Sequence, residues 1–192
     1  LKPYESNGRN VIIMMGHSGN WEWANAATEL SFNFKILPVY RRLSSPAFEH
    51  FYYSLRSKFG SLPVMDRNAF VEIQKAPKPH AVAMLTDQTP SKMKGWWATF
   101  LNQPTAFFRG SEILAKRLKY DVLFAQVRRT EQQGYYSIYF ERPELNWQEK
   151  EHGLTLAFAS FLEKEIKLDP ANWLWSHRRW KHELDEEVLW IG

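Results

Sequence analysis

The sequence predicts an α/β fold, a single domain over residues 1–192 built as a mixed, largely parallel sheet flanked by helices. Three observations predict it. Residues 11–15, 34–40 and 80–86 are short apolar runs without polar alternation, as expected of strands covered on both faces. Stretches of helical length and amphipathic spacing separate them. Later, residues 121–129 and 135–141 read as two more strands joined by the polar turn TEQQG, which suits an antiparallel pair.

Taken in order, the first strand (VIIMM) ends at Gly16, and His-Ser-Gly-Asn cannot continue it. Residues 21–30 then read as a helix. Asn20 suits the N-cap, Glu22 lies in the first turn, and Trp23, Ala26, Ala27 and Leu30 share one stripe. Residues 34–40 deliver Arg41 and Arg42 at their end. Residues 46–59 form a helix with Pro46 in its first turn and Gly60 as its stop. A short strand at 62–65 and a helix at 68–74 follow, ended by Pro77 and Pro79. The third buried strand, HAVAMLT, carries Asp87 and Gln88 to its end. The basic loop SKMKG (91–95) leads into aromatic-rich residues 96–101. Arg109 and Gly110 stand just before a helix at 111–118, which Ser111 can cap. Residues 148–166 are an amphipathic helix, and the basic-aromatic tail WLWSHRRWKHE comes after Pro170.

Composition excludes some chemistry. With no cysteine there is no disulfide, no thiolate metal site and no cysteine nucleophile. The net charge is +4, and 9 Trp, 8 Tyr and 13 Phe make 16% of the chain aromatic. Aromatics mixed with Lys and Arg suit a lipid interface, or a sugar- or base-binding surface; an aromatic-rich core accounts for them equally. No apolar run reaches the roughly 18 residues that a membrane-spanning helix needs, and no signal peptide is expected in this stretch.

The elbow after the first strand carries the best candidate chemistry. On a continuous helix, His17 and Glu22 would stand about 140° apart. With the histidine in the loop and the glutamate in the first helical turn, they can face each other. Glu22 would then orient the imidazole and support its charge, while the other ring nitrogen takes a proton from a substrate. If the three buried strands are parallel neighbours, His17, Arg41–Arg42 and Asp87–Gln88 converge at one sheet edge, where α/β sheets bind ligands. An arginine fork at Arg41 can hold phosphate, or simply pair at the surface. Asp87 can serve a substrate or cap its loop. Arg109 and Gly110, at a helix start, can hold an anionic group. No D-x-D or H-x-x-x-H spacing supports a metal, and no cofactor is implied.

Four blocks occur in order: GHSGNWEWA, VYRRLSSPAFEHFYYSLRSKFG, LTDQTP with FFRGSEILAKRLKYDVL, and WLWSHRRWK. Together, over about residues 10–181, they resemble the bacterial lipid A biosynthesis (late) acyltransferases, relatives of the glycerolphosphate acyltransferases with their H-x4-D/E pattern. The resemblance implies a glycerolphosphate-acyltransferase-like fold with His17 and Glu22 catalytic and Arg41, Asp87, Gln88, Arg109 and Gly110 binding substrate. It implies an acyl carrier protein or acyl-CoA as donor, a lipid A precursor or other lipid as acceptor, and work on a membrane surface without nucleic acid. It also implies a place at the cytoplasmic face of the cell inner membrane. Such enzymes carry a membrane-anchoring N-terminal segment, which this sequence is expected to lack; alone it would be soluble or peripheral. Where those relatives have Pro-Glu-Gly-Thr, this chain has Phe-Phe-Arg-Gly. The expected function is therefore transfer of a fatty acyl chain from a thioester to a glycolipid hydroxyl, with an aminolipid or other glycolipid as alternative acceptor. The competing class is a non-enzymatic module that binds glycan or nucleic acid through the basic-aromatic rim.

Overall fold

A computed structural model describes residues 1–91, 94–143, 146–183 and 188–192. Lys92, in the basic loop, lies outside the described residues. The apolar runs pair as their composition demands. Strands β1 (Val11–Met15), β2 (Lys35–Tyr40), β3 (Val64–Met65), β4 (His80–Leu85), β7 (Asp121–Arg129) and β8 (Tyr136–Glu141) form one sheet in the order β3-β2-β4-β1-β7-β8. All neighbours are parallel except β7 and β8, which run antiparallel. β1 sits in the interior of the sheet and all five of its residues are buried.

The period of two along the strands divides the interior. Ile12, Met14, Leu37, Val82 and Phe124 face one core, which is filled by α4 (Ala69–Lys75), α5 (Gly110–Leu118) and α6 (Gly153–Leu168). Ile13, Met15, Ile36, Ala81 and Ala125 face the other, covered by α2 (Trp21–Ser31) and by Tyr4 of α1 (Lys2–Ser6). α3 (Pro46–Ser57) buries none of its residues. It is tied to α2 by the Glu22–Arg56 ion pair and by Asn25 Nδ2, which donates to the carbonyl of Arg56 at 3.1 Å.

Two parts differ from the sequence expectation. The aromatic stretch after SKMKG is a strand, β5 (Gly95–Phe100), paired antiparallel with β6 (Gln103–Phe108) and parallel with β9 (Leu189–Trp190) in a second, three-stranded sheet. The two-residue turn is Leu101–Asn102, both at positive φ (50° and 59°), a conformation that usually announces itself with Gly. Leucine there hides the hairpin. Likewise α6 starts at Gly153 rather than 148, after turns and a left-handed His152. A Cβ on Gly153 would stand 2.6 Å from the carbonyl oxygen of Trp147, so the chain turns there on glycine before the helix begins.

Candidate active site

Register puts the site together. Met15 pairs with Leu85, so His17 and Asp87 each lie two residues beyond a matched pair at the carboxyl edge of the sheet. Val39 pairs with Met84, so Arg41 emerges on the same edge from β2. The convergence expected of the parallel strands is present.

At this edge, His17 Nδ1 donates to Asp87 Oδ1 at 2.5 Å, and the His17 backbone N–H donates to Asp87 Oδ2 at 2.8 Å. The Trp173 indole N–H donates to the same Oδ2 at 2.9 Å. Asp87 is 3% exposed. Burial pushes its carboxyl up, but the bonds from His17 and Trp173 and the nearby imidazole outweigh this and hold it below the usual carboxylate range. It is a fixed negative charge. His17 Nε2 is thereby left with its lone pair toward the cleft, 3.4 Å from Gln88 Nε2. The Trp21 ring meets the imidazole edge-on, 4.9 Å between centroids.

The elbow is shaped by close packing. Gly16 lies against α6 and Asp87, where a Cβ would come within 2.7 Å of Leu162 Cδ1. Gly19 has φ +59° and would meet the Val127 carbonyl oxygen at 2.9 Å. Asn20 caps α2 by accepting from the Trp23 N–H. The tail then closes the elbow. Ser18 bridges Trp173, the Gly19 N–H donates to Asn172 O, and the Leu174 N–H donates to His17 O, both at 2.9 Å.

Glu22 is placed differently from the expectation. Its carboxylate takes the Arg56 guanidinium, with Nη2 at 2.6 Å and Nε at 3.2 and 3.3 Å, while Asp87 holds the histidine. Glu22, in the first turn of α2, carries its carboxylate toward α3; the loop after β4 brings Asp87 under the ring. Asp87 therefore lies buried under the imidazole, with both carboxylate oxygens taken by His17 and Trp173. Glu22 and Arg56 do line the same cleft.

That cleft measures about 970 Å³, within the range of small-molecule sites. It wraps over the sheet edge. Ala83 and Leu85 line it on one face of β4 and Met84 on the other. On the first face Met15, Ala125, Ile138 and Phe140 form an apolar floor, and Asn25 and Thr28 of α2 add polar lining. On the second, Phe70, Phe108 and Leu114 lead to a rim bearing Arg41, Arg67 and Arg117. Arg41 is exposed, 3.4 Å from Asp66 and over the Phe108 ring. Gly110 and Ser111 also line the cleft, whereas Arg109 occupies the N-cap position of α5 behind them. Ser111 lies inside α5 and is not its cap.

The basic-aromatic rim is divided between interior and surface. Trp96 and Trp97 are buried in the small sheet, and Trp173 in the core. Arg179 is buried over the Phe107 ring, its pKa pushed down to about 10 by burial and partly restored by Asp87. It remains cationic at neutral pH. The burial of Trp96 and Trp97 withdraws these two rings from any lipid interface, while Trp175, Arg178 and Lys181 stay at the surface. Sequence reasoning missed Arg56, Thr89 and the place of His177. All three reach the cleft, but only pairing across distant loops brings them there.

Among the described residues, no helix is long and apolar enough to cross a membrane. No curated protein matches the chain. Residues 1–182 match the family of bacterial lipid A biosynthesis acyltransferases. An α/β sheet with a buttressed histidine at its carboxyl edge agrees with that match, and the chain belongs to the bacterial lipid A biosynthesis acyltransferase family and is an acyltransferase.

Proposed function

We propose that the protein transfers a fatty acyl chain from an acyl carrier protein or CoA thioester to a hydroxyl of a lipid A-type glycolipid, with His17 as general base and Asp87 as its buttress. The observation that supports this reading most is the 2.5 Å bond from His17 Nδ1 to a buried, ionised Asp87, which leaves Nε2 basic and open to the cleft. The acceptor hydroxyl takes the place of Gln88 at Nε2 and gives up its proton there. Its oxygen attacks the thioester carbonyl, the C=O electron pair moves onto oxygen, and the imidazolium is stabilised by Asp87. Collapse breaks the C–S bond, and the thiolate recovers the proton from Nε2. Ser18 is buried with its backbone in the bridge to Trp173, which disfavours an acyl-serine route.

The apolar side of the cleft suits the acyl chain, and the arginine rim suits a phosphate of donor or acceptor. A lipid acceptor requires work at a bilayer, here the cytoplasmic face of the cell inner membrane. The surface that suits this is α3. Phe48 and Phe51 are 61% and 58% exposed beside Arg41, Arg42 and Lys58. The decisive experiment incubates the protein with palmitoyl-CoA or palmitoyl-carrier protein and a lipid A precursor, and weighs the product by mass spectrometry. An acylated glycolipid from wild type and none from His17→Ala supports the reading. Equal product from both refutes it.

A further inference from the structure

We propose that His177 is a second catalytic histidine, a neutral imidazole that gives its Nδ1–H to the thioester carbonyl oxygen as that oxygen becomes negative. This rests on the acyl-transfer reading above.

The hydrogen bonds around the ring set its tautomer. The backbone N–H of Thr89 donates to His177 Nε2 at 3.1 Å. The Thr89 hydroxyl stands 3.3 Å from the same nitrogen, but its own proton goes to the Arg179 carbonyl at 2.5 Å. Nε2 is thus an acceptor, and the proton of the neutral ring sits on Nδ1. Burial, aided by the charges of Arg179 and Lys181, lowers the His177 pKa and keeps it neutral. The ring lines the cleft with His17 and Gln88.

Its position is built into the fold. Thr89, which holds Nε2, is two residues from Asp87. Leu174, three residues before His177, bonds the His17 carbonyl, and Trp173 bonds Asp87 itself. One segment therefore touches both members of the dyad and then carries the His177 ring to the cleft that His17 lines. Neutrality matters chemically. When His17 takes the acceptor's proton it becomes a cation, and a second cation alongside would oppose that step. A neutral N–H stabilises the oxyanion without that repulsion. The bond changes are those of acyl transfer: O–C forms, C–S breaks, and the oxyanion returns its electron pair on collapse. His177 neither gains nor loses a proton.

The test measures thiol release from palmitoyl-CoA by the full chain, with melting temperature in parallel. His177→Ala is expected to lower kcat about 10²–10³-fold with KM for palmitoyl-CoA changed less than about threefold. In His177→Gln the side-chain oxygen can still accept the Thr89 N–H, so melting recovers while kcat stays low. In His177→Asn the amide N–H takes the place of Nδ1–H, and kcat rises at least about tenfold above the alanine variant. Rescue by Gln and not by Asn would assign His177 to holding the Thr89 loop and overturn the proposal. So would a kcat within about threefold of wild type in His177→Ala. If His17→Ala also releases thiol at the wild-type rate, the acyl-transfer reading itself falls; a dead His17→Ala beside an active His177→Ala removes only this inference.

Discussion

The imidazole of His17 bonds Asp87 at 2.5 Å across 70 residues of sequence, while Glu22, five residues away, is held by Arg56. Asp87→Asn is expected to lower kcat by roughly 10²–10⁴-fold, because the amide cannot stabilise the imidazolium. Glu22→Gln leaves the dyad in place and loosens α3, so its larger effect falls on KM for the lipid acceptor. Steady-state kinetics of the two variants check this. A kcat loss in Glu22→Gln equal to that of Asp87→Asn would restore Glu22 as the partner of His17.

Phe48 and Phe51 stand out from a helix that buries none of its own residues. Replacing both by Ser should weaken binding to anionic vesicles at low salt and leave turnover in detergent near wild type. Raised salt should weaken the wild type as well, since each basic residue near the surface contributes about 1 kcal/mol. Trp97→Ser, in contrast, opens the small sheet and should cost about 3–5 kcal/mol of stability. Vesicle co-sedimentation and denaturant unfolding separate the two outcomes. Unchanged sedimentation of the α3 variant would remove the helix from the membrane surface.

His80 is fully buried, with Nδ1 bonded to the Pro77 carbonyl at 2.9 Å and Nε2 without a hydrogen-bond partner. Burial lowers its pKa, and the same holds for His177. Below the ordinary value of 6.5, the unfolded chain binds protons at these sites that the native state refuses, so stability falls as pH drops through that value. Asp87 works in a separate range. Its lowered pKa keeps its contribution intact down to about its ordinary value of 3.8 and loses it only in stronger acid. Denaturant midpoints at neutral pH and at about pH 5 should differ in wild type and differ less in His80→Gln. An unchanged difference in that variant would clear His80 as a source.

The parallel sheet was legible because its strands are buried on both faces and carry the apolar runs that such burial demands. His17, Arg41 and Asp87 were placed at one edge by the same reasoning. The partner of His17 was not legible. A spacing of five residues on a strand-to-helix elbow suggests a local contact, and only the lengths of β1 and β4 with their register reveal the distant one. The β5–β6 hairpin was hidden because its turn residues, Leu101 and Asn102, include no glycine. Trp96 and Trp97 looked interfacial because composition cannot distinguish an aromatic that faces lipid from one that faces a second sheet.

Residues 172–177 follow every strand of the large sheet, yet they supply the bonds that close the His17 elbow and brace Asp87. A chain ending before these residues keeps both partners of the His17–Asp87 bond but loses the Trp173 bond to Asp87 and the two backbone bonds that hold the elbow.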